Sequence, residues 1–274
     1  MRVAVIGGNG FLGRAVALDL GEHGYDVCVM DLQEAPAGDF EYRQCDITDL
    51  GRVEKCLEDV EAVALTAAVP APRPFDMWPE IMRVNVLGTY NVFCAAAARS
   101  MGKVVFASSI CAQGWLGGAQ RIQPLYYPID EEHPDLPQEP YSASKKMNEI
   151  SAQGFAITHD TQFVGLRYCN IQDVAQHGAK VMSTGIQWTM VEVKDAATAY
   201  RLALEAEGME FDYFIIGSRH RYNDQGEIQD PEELRQQLEE AGVRDIRDPQ
   251  HIAQSRATHS SDKAMRVLGY DPRY

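Results

Sequence analysis

Two periods alternate along this chain. Short runs, most of them continuously apolar, lie at residues 3–6, 27–31, 42–45, 60–65, 104–107 and 163–166, and between them apolar positions recur at three- and four-residue spacing over 11–23, 50–58, 79–100 and 141–158. Continuous apolar runs of this length predict strands buried on both faces, and the wider spacing predicts helices with one apolar side. Strands that alternate with helices are joined by right-handed crossovers. The pattern therefore predicts an α/β fold, a Rossmann-type doubly wound parallel sheet.

Past residue 170 the pattern is mixed, with strands expected at 188–193 and 213–216 and helices at 196–206 and 231–241. Residues 1–170 are expected to form the core, and 171–274 a mixed region that adds to the sheet and builds a small binding lobe. Two irregular, proline-rich stretches, 70–78 and 111–140, follow expected strand ends. In open parallel sheets the ligand crevice lies outside the carboxyl ends of the strands, so these loops are candidates for binding.

The turn after the first apolar run reads Gly-Gly-Asn-Gly-Phe-Leu-Gly at 7–13. Gly8, Gly10 and Gly13 fit the dinucleotide fingerprint, and Gly7, Gly10 and Gly13 fit it read one residue wider. Glycine is needed because the turn is tight and because a pyrophosphate must approach bare backbone. The N–H groups of Phe11 and Leu12 then open a helix, where unpaired donors and the dipole favour an anion. The second run ends in Asp31, where a carboxylate meets the adenosine ribose hydroxyls. A carboxylate there repels the extra phosphate of NADP, so the expected cofactor is NAD.

Bulk properties narrow the classes further. At 274 residues the chain can bury one large core, or one core with a small appendage. A formal charge of -15 opposes binding to nucleic acid or to an anionic membrane surface. The first apolar stretch is only a strand long and no run approaches bilayer length, so a cytoplasmic protein is expected. Six scattered cysteines read as free thiols in a reducing compartment, and neither they nor the seven histidines show metal-ligand spacing. No metal is expected.

Tyr141 and Lys145 are four residues apart at the start of an expected helix and so share a face. A phenol is a poor base at neutral pH, and a nearby ammonium lowers its pKa. Such a tyrosine can take a proton from a substrate hydroxyl while hydride leaves the same carbon. The spacing alone arises easily by chance. Its position counts for more: Ser108 and Ser109 lie at the end of the fifth expected strand, and Tyr141 opens the helix after the loop that follows. A serine hydroxyl there can hydrogen-bond the substrate oxygen beside the tyrosine.

With these residues in place the chain resembles the extended short-chain dehydrogenases/reductases, the NAD-dependent epimerase/dehydratase superfamily. The resemblance covers nearly the whole length. It includes the glycine turn, Asp31, Cys-Asp-Ile at 45–47, Thr-Ala-Ala at 66–68, Asn85, Phe-Ala-Ser-Ser at 106–109, Pro-Tyr-Ser-Ala-Ser-Lys at 140–145, Leu-Arg-Tyr-Cys-Asn at 166–170 and Ser-Asp-Lys-Ala-Met-Arg-Val-Leu-Gly-Tyr-Asp-Pro at 261–272. It implies that Tyr141 is the acid/base, that Lys145 tunes it and holds the nicotinamide ribose, and that Ser109 orients substrate. It further implies cofactor contacts from Gly7, Gly10, Phe11, Leu12, Gly13, Asp31, Asp46, Ile47, Thr66, Ala67, Ala68, Asn85, Ala107, Ser108, Tyr168 and Cys169. Arg73, Ser109, Cys111 and Asn170 are the candidates for substrate, and Trp115 and Trp188 could line a sugar pocket. A homodimer is implied by family analogy.

Departures from the family pattern shape the expected reaction. Only about twenty residues separate Asn170 from Val-Glu-Val-Lys-Asp at 191–195, fewer than nucleotide-sugar epimerases carry. The proportions are similar to the uronate dehydrogenase branch, although Pro70 and Cys111 stand where that branch uses polar residues. Ile110 and Cys111 replace the acidic pair of dehydratases. The expectation is an NAD-dependent oxidoreductase acting on a small sugar, sugar acid or polyol. A redox-neutral epimerase with retained NAD is the alternative, and a non-catalytic dinucleotide sensor is the third reading.

Overall fold

A computed structural model describes residues 1–34, 39–70, 73–114, 124–177, 189–222 and 227–273. Trp115 and Trp188 lie outside the described residues. The strands of the main sheet are β1 (Arg2–Ile6), β2 (Asp26–Asp31), β3 (Glu41–Gln44), β4 (Ala62–Leu65), β5 (Lys103–Ser109), β6 (Gln162–Tyr168) and, after the short pair β7 (Asn170–Gln172) and β8 (Met190–Glu192), β9 (Phe211–Ile216). The seven-stranded sheet has the order β3-β2-β1-β4-β5-β6-β9 and every pairing in it is parallel. The order reverses direction between β1 and β4. That is the doubly wound topology the alternating pattern predicted, and it opens a crevice above the ends of those strands.

Helices cover both faces. On one face α1 (Phe11–Glu22) and α7 (Val193–Glu205) pack over Val3, Val5, Val105, Val164, Leu166 and Tyr168. On the other, α2 (Leu50–Cys56), α4 (Thr89–Ala98) and α5 (Pro140–Thr158) pack over Ile6, Val63, Val104, Phe106 and Phe163. Both sets of side chains from one strand are buried because alternate residues point to opposite faces, so central strands must be apolar throughout. Phe93 of α4 sits at the centre of the second layer, with its ring edge-on to Phe106 and Phe163 at centroid distances of 5.2 and 5.1 Å. Each such buried ring contributes roughly 1.5–3 kcal/mol from burial alone. Ala95, Ala96 and Ala97 beside it have small side chains that let the helix lie close to the sheet.

Both edges of the sheet are guarded. The β3 edge carries charged residues, with Arg43 paired to Asp59 and Glu41. At the other edge the Glu131 carboxylate accepts the Ile215 N–H of β9 at 2.8 Å. Such devices prevent an open edge from recruiting another strand.

The stretch expected as one helix over 79–100 is three segments: α3 (Trp78–Ile81), a π-helical segment (Met82–Gly88) and α4. A π-turn inserts a residue into the helix, and such turns cluster at functional sites. Here it carries Asn85. Among the described residues beyond β9 lie three short helices, α8 (Pro231–Glu240), α9 (Pro249–Ala253) and α10 (Asp262–Leu268), with α6 (Val174–His177) between β7 and β8. Tyr127, Leu234, Leu238, Val243 and Ile252 give α8 and α9 a separate small core.

Candidate active site

The first half of the site is the loop between β1 and α1. Gly7 adopts φ +84°, which side chains rarely tolerate, and a Cβ there would lie 2.5 Å from the Ala67 backbone nitrogen. A Cβ on Gly13 would meet the Gly7 carbonyl oxygen at 2.2 Å. The loop is thus folded tightly on itself and against the end of β4. The N-cap of α1 is Gly10, no side chain caps the helix, and its first turn holds no acidic residue. The donors there suit an outside anion such as a pyrophosphate. At the end of β2 the Asp31 carboxylate accepts the N–H of Asn9 at 3.1 Å and of Gln33 at 3.3 Å, which fixes it beside the glycine loop. A bare helix N-terminus with an acceptor next to it fits NAD.

The second half gathers at the carboxyl end of β5 and the start of α5. Glu139 caps that helix, accepting the N–H groups of Tyr141 at 2.8 Å and Ser142 at 2.5 Å. The cap fixes the helix start, so Tyr141 and Lys145 face the sheet together. The Lys145 Nζ donates to the Ala107 carbonyl at 2.8 Å and lies 5.4 Å from the centre of the Tyr141 ring. Ser109 Oγ accepts the Cys111 N–H at 3.1 Å and so turns the chain at the strand end. Asn85 holds the loop after β4: its Oδ1 accepts the Val69 N–H at 2.7 Å and its Nδ2 donates to the Val69 carbonyl at 3.0 Å. The same amide reaches Ser144 Oγ at 3.4 Å, on the residue before Lys145.

Burial dominates the electrostatics. It lowers Lys145 to about 8, against the pull of Cys111 and Glu149, and pushes the Cys111 thiol up to about 11. It also raises Tyr141 above the ordinary phenol value, against the hydrogen bond with Ser109. The sequence argument expected a lowered phenol. In this structure desolvation outweighs the favourable contacts, so the protonated tyrosine is the resting form.

The other residues singled out in the sequence do not all lie at these halves. Thr66 Oγ1 donates to the Ile6 carbonyl at 2.9 Å, and the Ala67 N–H binds the same carbonyl, with Ala68 following half-buried. Asp46 accepts the N–H and hydroxyl of Thr48, and Ile47 packs under Gly88. The Tyr168 side chain is directed to the opposite face, where its hydroxyl donates to the Ala196 carbonyl at 2.8 Å and its ring stacks on Tyr200. Cys169 is buried in that same layer. Asn170 is half-buried on β7, and Arg73 is exposed in the loop before α3. Four residues near the site escaped the sequence reading as participants: Glu139, Glu149, Arg167 and Asp135. Glu149 is four residues beyond Lys145, the one local signal that could have marked it. Among the described residues no group of three His, Cys, Asp or Glu could hold a metal ion, and no helix is long and apolar enough to cross a membrane.

A doubly wound sheet with a glycine loop at its switch point and a Tyr-x-x-x-Lys helix beside it defines a dinucleotide-dependent α/β enzyme. Comparison with known proteins makes this specific. Residues 3–187 match the NAD dependent epimerase/dehydratase family, and the chain belongs to that family. An NAD-dependent glucose-6-phosphate dehydrogenase of Haloferax volcanii is 26% identical over 98% of this chain and 92% of its own. A UDP-glucose 4-epimerase of Corynebacterium glutamicum is 25% identical over 100% of this chain and 92% of its own. A uronate dehydrogenase of Pseudomonas syringae pv. tomato is 29% identical over 61% of this chain. That match spans 58% of the uronate dehydrogenase, and a match to a Methanocaldococcus jannaschii protein spans 55% of it, little more than half of each relative's length. Among solved structures, MoeE5 in complex with UDP-glucuronic acid and NAD superposes with a TM-score of 0.74 at 22% identity, over 100% of this chain and 94% of that one, and shares the fold. NAD is the cofactor of the family.

Proposed function

We propose that this protein is an NAD-dependent dehydrogenase acting on a hydroxyl carbon of a small sugar, sugar acid or polyol. The observation that carries the reading is the convergence of Ser109, Tyr141 and Lys145 at the carboxyl end of β5, at the same end of the parallel sheet as the glycine loop. The glycine loop, the α1 N-terminus and Asp31 would hold the pyrophosphate and adenosine ribose, and Lys145 the nicotinamide ribose. NAD, when bound, supplies the hydride acceptor. Tyr141 first gives up its own proton to solvent, which the nearby Lys145 ammonium favours, and its phenolate oxygen then accepts the proton of the substrate hydroxyl while Ser109 Oγ hydrogen-bonds that same oxygen. Cys111 and Asn170 would face the substrate. Their thiol and amide place no fixed charge there.

Chain length favours dehydrogenation over epimerisation of a nucleotide sugar. The alignment with the glucose-6-phosphate dehydrogenase runs over 284 positions, close to the 274 residues of this chain. That with the epimerase runs over 325 or fewer positions in each full-length case, 324 for the Corynebacterium enzyme, so at least 50 of its positions have no counterpart here. A redox-neutral epimerase is the second reading, supported by the family match itself. We further propose a homodimer built on α4 and α5, since Tyr90, Met147, Ile150 and Ile157 expose apolar surface along those helices and Leu87 does so just before α4.

Mass spectrometry of small molecules released on denaturing the purified protein separates the readings. Reversible binding of added NAD, with NADH formed from a screened sugar or sugar acid, supports the dehydrogenase. Near-stoichiometric retained NAD without net NADH formation supports the epimerase.

A further inference from the structure

Behind the catalytic residues lies a buried ionic cluster. Arg167 of β6 is 0% exposed and Glu149 of α5 is 1% exposed. Arg167 Nε and Nη2 donate to the two Glu149 oxygens, each at 2.7 Å, and Nη2 also reaches Asp135 Oδ2 at 3.0 Å. Lys146 Nζ pairs with the same Asp135 oxygen at 2.5 Å. The guanidinium lies 4.1 Å from the centre of the Tyr213 ring on β9. Two cations and two anions balance.

Neutralising Arg167 is not the whole task of Glu149. Its Oε1 also accepts the Ser108 hydroxyl at 2.7 Å. Ser108 and Arg167 are register partners across β5 and β6, so one carboxylate grips a cross-strand pair. The flanking residues of Ser108 both belong to the site: the Ala107 carbonyl receives Lys145, and Ser109 lies against Tyr141. Lys145 and Glu149 are one helical turn apart, so successive turns of α5 hold successive residues of β5.

We propose that Glu149 is a positioning residue of this site. Its carboxylate holds the Ser108 hydroxyl and the Arg167 guanidinium together, and so keeps Ala107 and Ser109 in register with Lys145 and Tyr141. The proposal rests on the catalytic reading of Tyr141 and Lys145. A buried ion pair adds little net stability but fixes geometry, and small displacements of catalytic groups are costly. The charged and titratable groups around the Lys145 ammonium are Tyr141 and Glu149 on its own helix and Cys111 after β5, with Arg167 of β6 and Asp135 of the preceding loop behind Glu149.

The test compares Ser108→Ala and Glu149→Gln with Tyr141→Phe in the full chain. Turnover with NAD is measured on the sugar or sugar acid found by screening. Labelling of Lys145 by acetic anhydride is followed against pH by mass spectrometry and needs no substrate. Ser108→Ala, which leaves the Arg167 pair in place, should lower kcat about tenfold or more with KM for NAD nearly unchanged. Glu149→Gln should do the same and move half-labelling of Lys145 to lower pH, because a negative charge next to the ammonium is gone. Simple loosening would expose Lys145 and move it the other way, towards ordinary lysine, and would overturn the proposal. So would wild-type turnover in Ser108→Ala while Tyr141→Phe is inactive, a comparison that decides even where Glu149→Gln fails to fold. Turnover retained in Tyr141→Phe would instead overturn the catalytic reading, and the labelling shift would still decide the role of Glu149.

Discussion

Lys145 Nζ lies 5.4 Å from the centre of the Tyr141 ring, anchored there by the carbonyl of Ala107 at 2.8 Å. The ammonium is thus held beside the phenol before any substrate arrives. The Tyr141 hydroxyl is hydrogen-bonded with Ser109 and is the group here that can carry a proton. Tyr141→Phe keeps the ring and removes only the hydroxyl. It should lower kcat by roughly 10²–10⁴-fold, the usual contribution of a general acid/base. NAD affinity, measured by calorimetry, should be unchanged.

Lys145 is held at a cost in stability. Its folded value is lowered to about 8 from 10.5 by burial. Between those values the unfolded chain binds more protons than the folded one, so stability rises as pH climbs through about 8 towards 10.5. Below that window the full penalty, about 3 kcal/mol, is present. Lys145→Met removes it but leaves the Ala107 carbonyl without its donor, which costs about 1 kcal/mol. The variant should therefore be more stable than the parent by about 1–2 kcal/mol at pH 7, and inactive. Urea unfolding at pH 7 and pH 10 checks this, since the gain should disappear at the higher pH.

The sequence showed most of this site because its parts are local. A glycine turn, a carboxylate at a strand end and a Tyr-x-x-x-Lys helix are each written within a few neighbouring residues. The apolar pattern placed β5 at 104–107, whereas the strand continues to Ser109. It stopped early because the pattern turns polar where the strand enters the site, although the backbone still pairs with Arg167 and Tyr168. Periodicity likewise read 79–100 as a plain helix, since a π-turn changes the hydrogen-bond ladder and not the apolar count. Glu149 and Arg167 have no role in the sequence reading. Their burial depends on meeting each other across 18 residues of chain, and beyond the four-residue spacing of Glu149 from Lys145 no local pattern encodes that.

Gly13 should tolerate no side chain. A Cβ would lie 2.2 Å from the Gly7 oxygen and 2.7 Å from the Gly8 Cα, both backbone atoms that cannot swing aside. Gly13→Ala must therefore open the loop that presents the α1 N-terminus. It should destabilise the fold by roughly 1–3 kcal/mol and weaken NAD binding severely. Thermal unfolding and NAD titration of the same sample measure the two effects. Wild-type affinity in this variant would mean the loop does not hold the cofactor.

The exposed apolar face of α4 and α5 predicts the oligomeric state. Ile157 is 76% exposed and Ile150 59% exposed on α5, with Tyr90 46% exposed on α4. Ile150→Asp places a charge at the centre of this face, where a closed interface could not solvate it. Sedimentation or light scattering should find the parent chain as a dimer and this variant as a monomer. A parent that is already monomeric would remove the face from consideration as a self-interface.

Asp31 should decide between the two nicotinamide dinucleotides by charge. Its carboxylate accepts the Asn9 and Gln33 N–H groups, so its position is fixed by the loop it serves. Replacement by alanine would lose both the charge and those acceptors, and the loop could shift for either reason. Asp31→Asn removes the charge and keeps one of the two oxygens that accept from the backbone, so it disturbs the loop less than alanine does. NADP, which brings its extra phosphate to this carboxylate, should then bind about tenfold tighter or more, roughly 1.4 kcal/mol or above. NAD should weaken, because a neutral amide is a poorer acceptor for ribose hydroxyls than a carboxylate. The two dissociation constants, measured by titration at one ionic strength, should therefore move in opposite directions. An NADP affinity unchanged from the parent would mean that shape, and not charge, sets the preference.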